Sequence, residues 1–312
     1  MRGDSVGSET PLQQLRVLVT GATGFIGQHL CRKLLEQGAT TYGLSRSATE
    51  ATVPNGIIPI AADVTQRAAV VEALERVRPS HVLHLAAAGV TEPFLPIERA
   101  VEVNVSGTIN VLEASYDVGV QRFVHVGTAY EYPASQSDRG PNNPYVASKM
   151  AAWLFWRAFI EKNPIDSAVV RLYHVYGPQQ LRGLIPAALQ AAQRDEVFNM
   201  TRGEQWRDFI YITDVIEALL NTLSAPNICG KTYDIGTGSG LQVRTVVQRI
   251  FEQLGSHGRY VLGALDYRPH EEMKLVAASA PAQIDLKWQA QVQFEEGLTK
   301  TIETYRRQTG TS

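Results

Sequence analysis

Short apolar runs rich in β-branched residues recur along the first half of the chain, separated by segments whose apolar positions repeat at helical spacing. Residues 15–20 (LRVLVT) read as a buried strand, and 25–37 follow as a helix stopped by Gly38. Further strands are expected at 40–45, 57–60, 81–85, 122–126 and 168–173, with helices near 64–77, 97–118 and 145–162. Alternating β and α segments predict a parallel sheet with helices on both faces. Right-handed crossovers make that arrangement doubly wound, a Rossmann-like α/β fold. After Gly177-Pro178 the rhythm breaks into helices at 185–194 and 213–224, a strand at 232–235, a helix at 243–254, a strand at 259–262 and a last helix from about 294. The expected organisation is a larger domain over 12–176 and a smaller α/β domain over 177–312, with 206–240 partly returning to the first.

Composition narrows the class. With 44% hydrophobic and 19% charged residues in 312, the chain reads as an ordinary globular protein. A net charge of −2 leaves no electrostatic footprint for nucleic acid or an anionic membrane. No stretch approaches the roughly 18 uninterrupted apolar residues of a membrane span. The first fourteen residues (MRGDSVGSETPLQQ) are polar and lack the apolar run of a secretory signal, so the cytoplasm is the expected compartment. Cys31 and Cys229 have no metal-ligand spacing and imply no disulfide framework. A bridge between those two would be unusual in a cytosolic chain, and no metal is expected.

The first candidate site is Gly21-Ala22-Thr23-Gly24-Phe25-Ile26-Gly27, between the first strand and the first helix. Gly21 permits a tight turn, Gly24 lets backbone approach a pyrophosphate, and Gly27 allows close helix–strand packing. A helix N-terminus then offers free N–H donors to phosphate. The spacing is GxxGxxG, not GxGxxG, yet its place between strand and helix points to a dinucleotide. At the end of the second strand, an acid would hold the ribose 2′-hydroxyl of NAD. Leu44-Ser45-Arg46-Ser47 has none. Arg46 could fork onto a 2′-phosphate, so NADP is expected ahead of NAD, the alternative being a solvated arginine.

Tyr145-Val-Ala-Ser-Lys149 places a phenol and an amine on one face of a helix start. The neighbouring ammonium, with the positive ring of an oxidised nicotinamide, is expected to lower the tyrosine pKa from its reference near 10. Lys149 could also hydrogen-bond the nicotinamide ribose. Thr128, at the end of the preceding strand, could share a hydrogen bond with a substrate oxygen and Tyr145, or simply cap a turn. His125 reads as a core histidine. Asn104 reads as a buried brace for the active-site strand and is counted with the expected cofactor-binding residues.

These segments together resemble the extended short-chain dehydrogenase/reductase family, whose members mostly act on nucleotide sugars. The likeness covers about residues 15–305 and includes Ala62-Asp-Val64, His84-Leu-Ala-Ala-Ala88, Val170-Arg-Leu-Tyr-His-Val-Tyr-Gly-Pro178, Trp206-Arg-Asp-Phe-Ile-Tyr-Ile-Thr-Asp214, Tyr233-Asp-Ile-Gly236, Tyr267-Arg-Pro-His-Glu271 and Leu286-Lys-Trp288. It implies that Asp63 and Val64 contact adenine, that Leu85, Ala86 and Ala87 line the cofactor, and that Arg207 and Arg268 hold a substrate diphosphate. Thr128, Ala129, Tyr145 and His174 would face the substrate. His174 stands where the family commonly has asparagine, and the stretch from Thr128 to Tyr145 is shorter than usual. Ala129-Tyr130 replaces the Asp-Glu pair of sugar 4,6-dehydratases, which argues against water elimination.

The helix at 150–160 (MAAWLFWRAFI) is apolar on nearly all sides, more than one buried face requires. The resemblance implies a homodimer through it, the alternative being burial beneath the second domain. Three functions stay open: an NADPH-dependent reductase of a nucleotide-linked 4-keto-6-deoxy sugar, a sugar 4-epimerase that retains its cofactor, and a non-catalytic dinucleotide sensor. The intact Thr128–Tyr145–Lys149 set weighs against the last.

Overall fold

The computed structural model describes residues 12–136, 138 and 140–309. Of the polar first fourteen residues only 12–14 fall within that range, as a short 3₁₀ turn (Leu12–Gln14). Seven strands pair in parallel: β1 (Arg16–Thr20), β2 (Thr40–Ser45), β3 (Ile58–Ala61), β4 (His81–His84), β5 (Arg122–Thr128), β6 (Asp166–Leu172) and β7 (Thr232–Ile235). Their spatial order is β3-β2-β1-β4-β5-β6-β7, so the winding reverses between β1 and β4. A crevice at the carboxyl ends of the strands follows from that reversal.

Burial explains why these strands read as unbroken apolar runs. β4 is buried throughout and β1 everywhere but its first residue, as expected of a sheet covered on both faces. Alternate side chains enter opposite cores. Val17, Val19, Leu83, Val124 and Ala168 pack with Ile212, Leu219, Val246, Trp288 and Leu298. Leu18, Val82, Phe123 and Val169 pack with Leu74, Leu112 and Trp156 on the other side. The first core therefore continues without a break into the helices Leu184–Gln193, Ile212–Ser224 and Val243–Leu254. β7 joins the sheet edge beside β6, so residues beyond 177 share both the sheet and its core.

Several elements depart from the sequence pattern. The helix expected at 97–118 is built in three pieces: Ile97–Ala100, a π-helical Val101–Ser106, and Gly107–Asp117. The wider turn falls at Asn104, whose amide accepts from Ala88 N (2.8 Å) and donates to Ala88 O (2.9 Å) and Ser148 Oγ (2.8 Å). π-bulges commonly accompany such functional placement. β5 runs two residues further than its apolar pattern, which puts Thr128 on the strand end. Short strands pair His174–Tyr176 with Phe209–Tyr211, flank Trp206–Arg207 by Leu241–Gln242 and Lys274–Leu275, and join Val197–Met200 to Arg259–Leu262.

The helix Pro144–Ile160 begins at an Asn143 cap, whose side chain accepts from Val146 N at 3.0 Å. Ala152 and Trp156 are buried, whereas Leu154 and Phe155 are 57% and 54% exposed. Burial within the chain therefore does not account for its all-round apolar character. Cys31 is buried, Cys229 is exposed, and both are free. Among the described residues no helix is long and apolar enough to cross a membrane, and no cluster suited to a metal ion occurs.

Candidate active site

The turn after β1 has no room for side chains. A Cβ on Gly27 would lie 2.2 Å from Gly21 O, and one on Gly21, at φ +71°, would lie 3.0 Å from Ala86 N. The helix Phe25–Glu36 starts at Gly24 with no side-chain cap, which leaves its first N–H groups for a ligand. Thr20 Oγ1 locks the neighbouring strand ends by accepting from Leu85 N and Ala86 N, each at 3.1 Å. This bare backbone cradle, followed by an uncapped helix start, fits the diphosphate of a dinucleotide.

The cradle forms one end of a cavity of about 810 Å³. Gly21, Thr23, Gly24, Phe25, Ile26, Gly27, Ser45, Arg46, Asp63, Val64, Leu85, Ala86 and Ala87 line its cofactor side. Thr128, Ala129, Tyr130, Tyr145, Lys149 and His174 also line it. Ser45 closes β2 and its Oγ accepts from Thr23 Oγ1 at 3.2 Å, while Arg46 beyond it is exposed. Against slight desolvation of its carboxyl, hydrogen bonds from Thr65 and the Arg46 and Arg99 charges hold Asp63 below the usual aspartate range.

The reacting groups converge where β5 meets the Pro144–Ile160 helix. Tyr145 and Thr128 line the same cavity, and the Thr128 side chain lies close enough to the Tyr145 phenol to favour its ionised form. Lys149 is 2% exposed, and its Nζ donates to Val126 O at 2.7 Å and approaches His125 Nε2 at 3.3 Å. An ammonium has three donors, so one remains for a further partner. Burial lowers Lys149 to about 8. The same burial pushes the Tyr145 phenol upward, only partly offset by the Thr128 side chain. This reverses the expected downward shift, because Lys149 aims its charge at the β5 backbone and desolvation dominates. Tyr145 therefore rests as a protonated phenol. Behind Lys149, His125 stacks on His84 at 5.6 Å, and His84 bonds Thr20 Oγ1 (2.8 Å) and Thr108 Oγ1 (3.1 Å). Burial keeps both histidines neutral, His84 at about 3.

On the same cavity wall the Tyr130 hydroxyl meets His174 Nε2 at 3.3 Å, and the Arg207 charge acts on its phenol. Arg207 is 3% exposed and donates to Glu271 Oε1 at 2.5 Å. Arg268 is exposed, its guanidinium 5.8 Å from the Phe94 ring centroid. Neither arginine lines the cavity, and neither does Asn104, whose three hydrogen bonds brace the wall behind it. Burial lowers His174 to about 3, with Arg207 adding to the effect.

A family model described as the NAD dependent epimerase/dehydratase family matches residues 17–236. The chain belongs to this family. It is thus an extended short-chain dehydrogenase/reductase, as the motifs anticipated. A dTDP-D-glucose 4,6-dehydratase of Mus musculus is 31% identical over 94% of this chain and 89% of its own length. The UDP-glucose 4-epimerase of Thermotoga maritima, solved with UDP-glucose, superposes with a TM-score of 0.84 at 26% identity, covering 94% of this chain and 99% of that one. The Thermus thermophilus UDP-glucose 4-epimerase, solved with NAD, superposes at 0.81 with 28% identity, covering 93% and 98%.

Three groups in and around the site escaped sequence reasoning. Glu131 is buried and its carboxylate accepts the Thr128 amide; its signal was a Thr-x-x-Glu spacing in the Thr128–Tyr132 stretch, where Glu131 was given no role. Glu271 pairs Arg207 from 64 positions away, which no local pattern announces. Asp208 is completely buried and gathers the loops at 237–238 and 277.

Proposed function

We propose that this protein is an NADPH-dependent reductase of a nucleotide-linked 4-keto-6-deoxy sugar. The observation that carries the reading is the end of β2, where Arg46 stands at the cavity and Ser45 takes the place of an acid. A guanidinium there suits a 2′-phosphate, and NADPH is the ordinary reducing form of the cofactor. Bound in the glycine cradle, the dinucleotide would supply the hydride.

The chain's own groups manage the proton. Tyr145 donates to the oxygen that becomes an alkoxide at C4, and Thr128 steadies that oxygen and the phenol together. Lys149 offers its remaining donor to the nicotinamide ribose. Ala129 and Tyr130 bring no acid–base pair for eliminating water. Asp63 and Val64 would take the adenine, and Leu85, Ala86 and Ala87 the middle of the dinucleotide. Arg207 would reach a substrate diphosphate by releasing Glu271, with Arg268 closing from the rim. The exposed Leu154–Phe155 face supports a homodimer through the Pro144–Ile160 helix.

A second reading, a nucleotide-sugar 4-epimerase with retained NAD(P), draws on the likeness to epimerase structures. Mixing the purified protein with NADPH and dTDP-4-keto-6-deoxyglucose separates the two. A reductase leaves purification largely free of dinucleotide and consumes NADPH one-for-one with the sugar. Tightly retained cofactor, inertness towards the keto sugar with NADPH, and conversion of a 4-hydroxy nucleotide hexose to its C4 epimer without added cofactor would establish the epimerase instead.

A further inference from the structure

Glu131 is a buried carboxyl that neither the fold nor the reacting groups account for. It opens the helix Glu131–Gln136, three residues past Thr128, and is 5% exposed. Its Oε1 accepts the Thr128 backbone N–H at 2.8 Å. Its Oε2 is buried with no hydrogen-bond partner among the described residues. The carboxyl fills the space left by Gly127, where a Cβ would lie 2.7 and 2.9 Å from the two oxygens.

The contact ties the helix start back to the end of β5, but that tie alone does not require this burial. Capping carboxylates at helix starts normally keep their second oxygen in water, and a buried unpaired oxygen is costly. The nearest guanidinium does not relieve it. Arg171 of β6 runs past Gly127 and bonds Asp234 of β7 at 2.7 Å instead. The charged and titratable groups facing Glu131 are thus Lys149 and Tyr145 from the Pro144–Ile160 helix, Arg171 from β6 and Asp234 from β7.

We propose that Glu131 is a positioning residue that fixes Thr128 through its amide and sets a buried negative charge behind the reacting groups, keeping the proton on Tyr145 and the charge on Lys149. The inference rests on Thr128, Tyr145 and Lys149 being those groups, and not on which sugar is reduced. A carboxylate near a phenol makes the phenolate less favourable, and near an ammonium it favours the charged form. Burial lifts Glu131 to about 7, so its charge develops just below the range in which Lys149, at about 8, would shed a proton. A general acid for ketone reduction must hold its proton until the alkoxide forms. A buried carboxylate behind Tyr145 favours that state.

Glu131→Gln tests this, because the amide oxygen still accepts from Thr128 while the charge is gone. Profiles of kcat/KM against pH are measured for reduction of dTDP-4-keto-6-deoxyglucose by NADPH, with Tyr145→Phe alongside. The alkaline limb of Glu131→Gln should move to lower pH by about one unit, with the melting temperature retained. Superimposable profiles for parent and Glu131→Gln would overturn the proposal while leaving the reacting groups standing. Full turnover by Tyr145→Phe would overturn those groups, and the proposal with them. If Glu131→Gln does not fold, or the parent protein does not turn over this sugar, carbon-13 NMR of glutamate carboxyls in the parent protein decides. One carboxyl titrating near 7 supports the proposal, and none above about 5 contradicts it.

Discussion

Two fully enclosed carboxylates, Asp208 and Glu131, do opposite things. Asp208 is 0% exposed and completely engaged. Oδ1 accepts from Thr237 N at 2.8 Å and Thr237 Oγ1 at 2.7 Å, and Oδ2 from Gly238 N at 2.9 Å and Ala277 N at 3.1 Å. Those bonds knot the loop after β7 and the chain near 277 onto the segment that carries Arg207. Glu131 has one donor, one unpartnered oxygen and a pKa lifted to about 7 by burial. A buried polar group with every bond made holds structure together. One left partly unmet beside titratable neighbours is available for chemistry.

The largest expected effect lies at the group Glu131 serves. Tyr145→Phe should retain cofactor affinity and lose ~10²–10⁴-fold in turnover, since the ring stays and the proton goes. Steady-state kinetics and a dinucleotide titration check it together, and loss of cofactor binding would mean a packing role.

Asp208→Ala probes the other member of the pair. Four donors lose their acceptor at once, so urea denaturation should register a loss of about 3 kcal/mol or more. Glu131→Gln should lose much less in the same experiment, because its single 2.8 Å bond survives. Equal losses would erase the distinction between the two carboxyls.

Arg46→Ala is the mildest change. A charge-assisted contact of about 1.5–3 kcal/mol corresponds to ~10–150-fold, so NADPH affinity should fall by that order while NADH affinity stays. Fluorescence titration reads both, and equal parent affinities for the two cofactors would put Arg46 in solvent.

Much of this was legible in the chain. Short β-branched apolar runs marked the seven sheet strands and the 3.6-residue rhythm the long helices, since a sheet buried on both faces leaves unbroken apolar runs. GATGFIG and the Tyr145–Lys149 spacing marked the cavity because backbone approach and helix-face geometry are local requirements. What could not be read depends on groups distant in sequence. Strands such as Trp206–Arg207 are too short for alternation to register. The π-helical turn at Asn104 answers to Ala88 and Ser148, not to its own neighbours. The Tyr145 shift was misjudged in sign because spacing reveals that Lys149 is near, but not that both side chains are buried and that Lys149 is turned to Val126. Arg207 was legible as a basic residue, while its partner Glu271 was not.

The most direct test of the reductase follows the hydride itself. NADPH carrying deuterium at its transferable position is turned over with dTDP-4-keto-6-deoxyglucose, and the product is analysed by mass spectrometry and NMR. One deuterium at C4 of each product molecule, matched by one oxidised cofactor, is the predicted result. Unchanged keto sugar with no oxidation of NADPH, beside interconversion of a nucleotide hexose and its C4 epimer by the same protein without added cofactor, would contradict it.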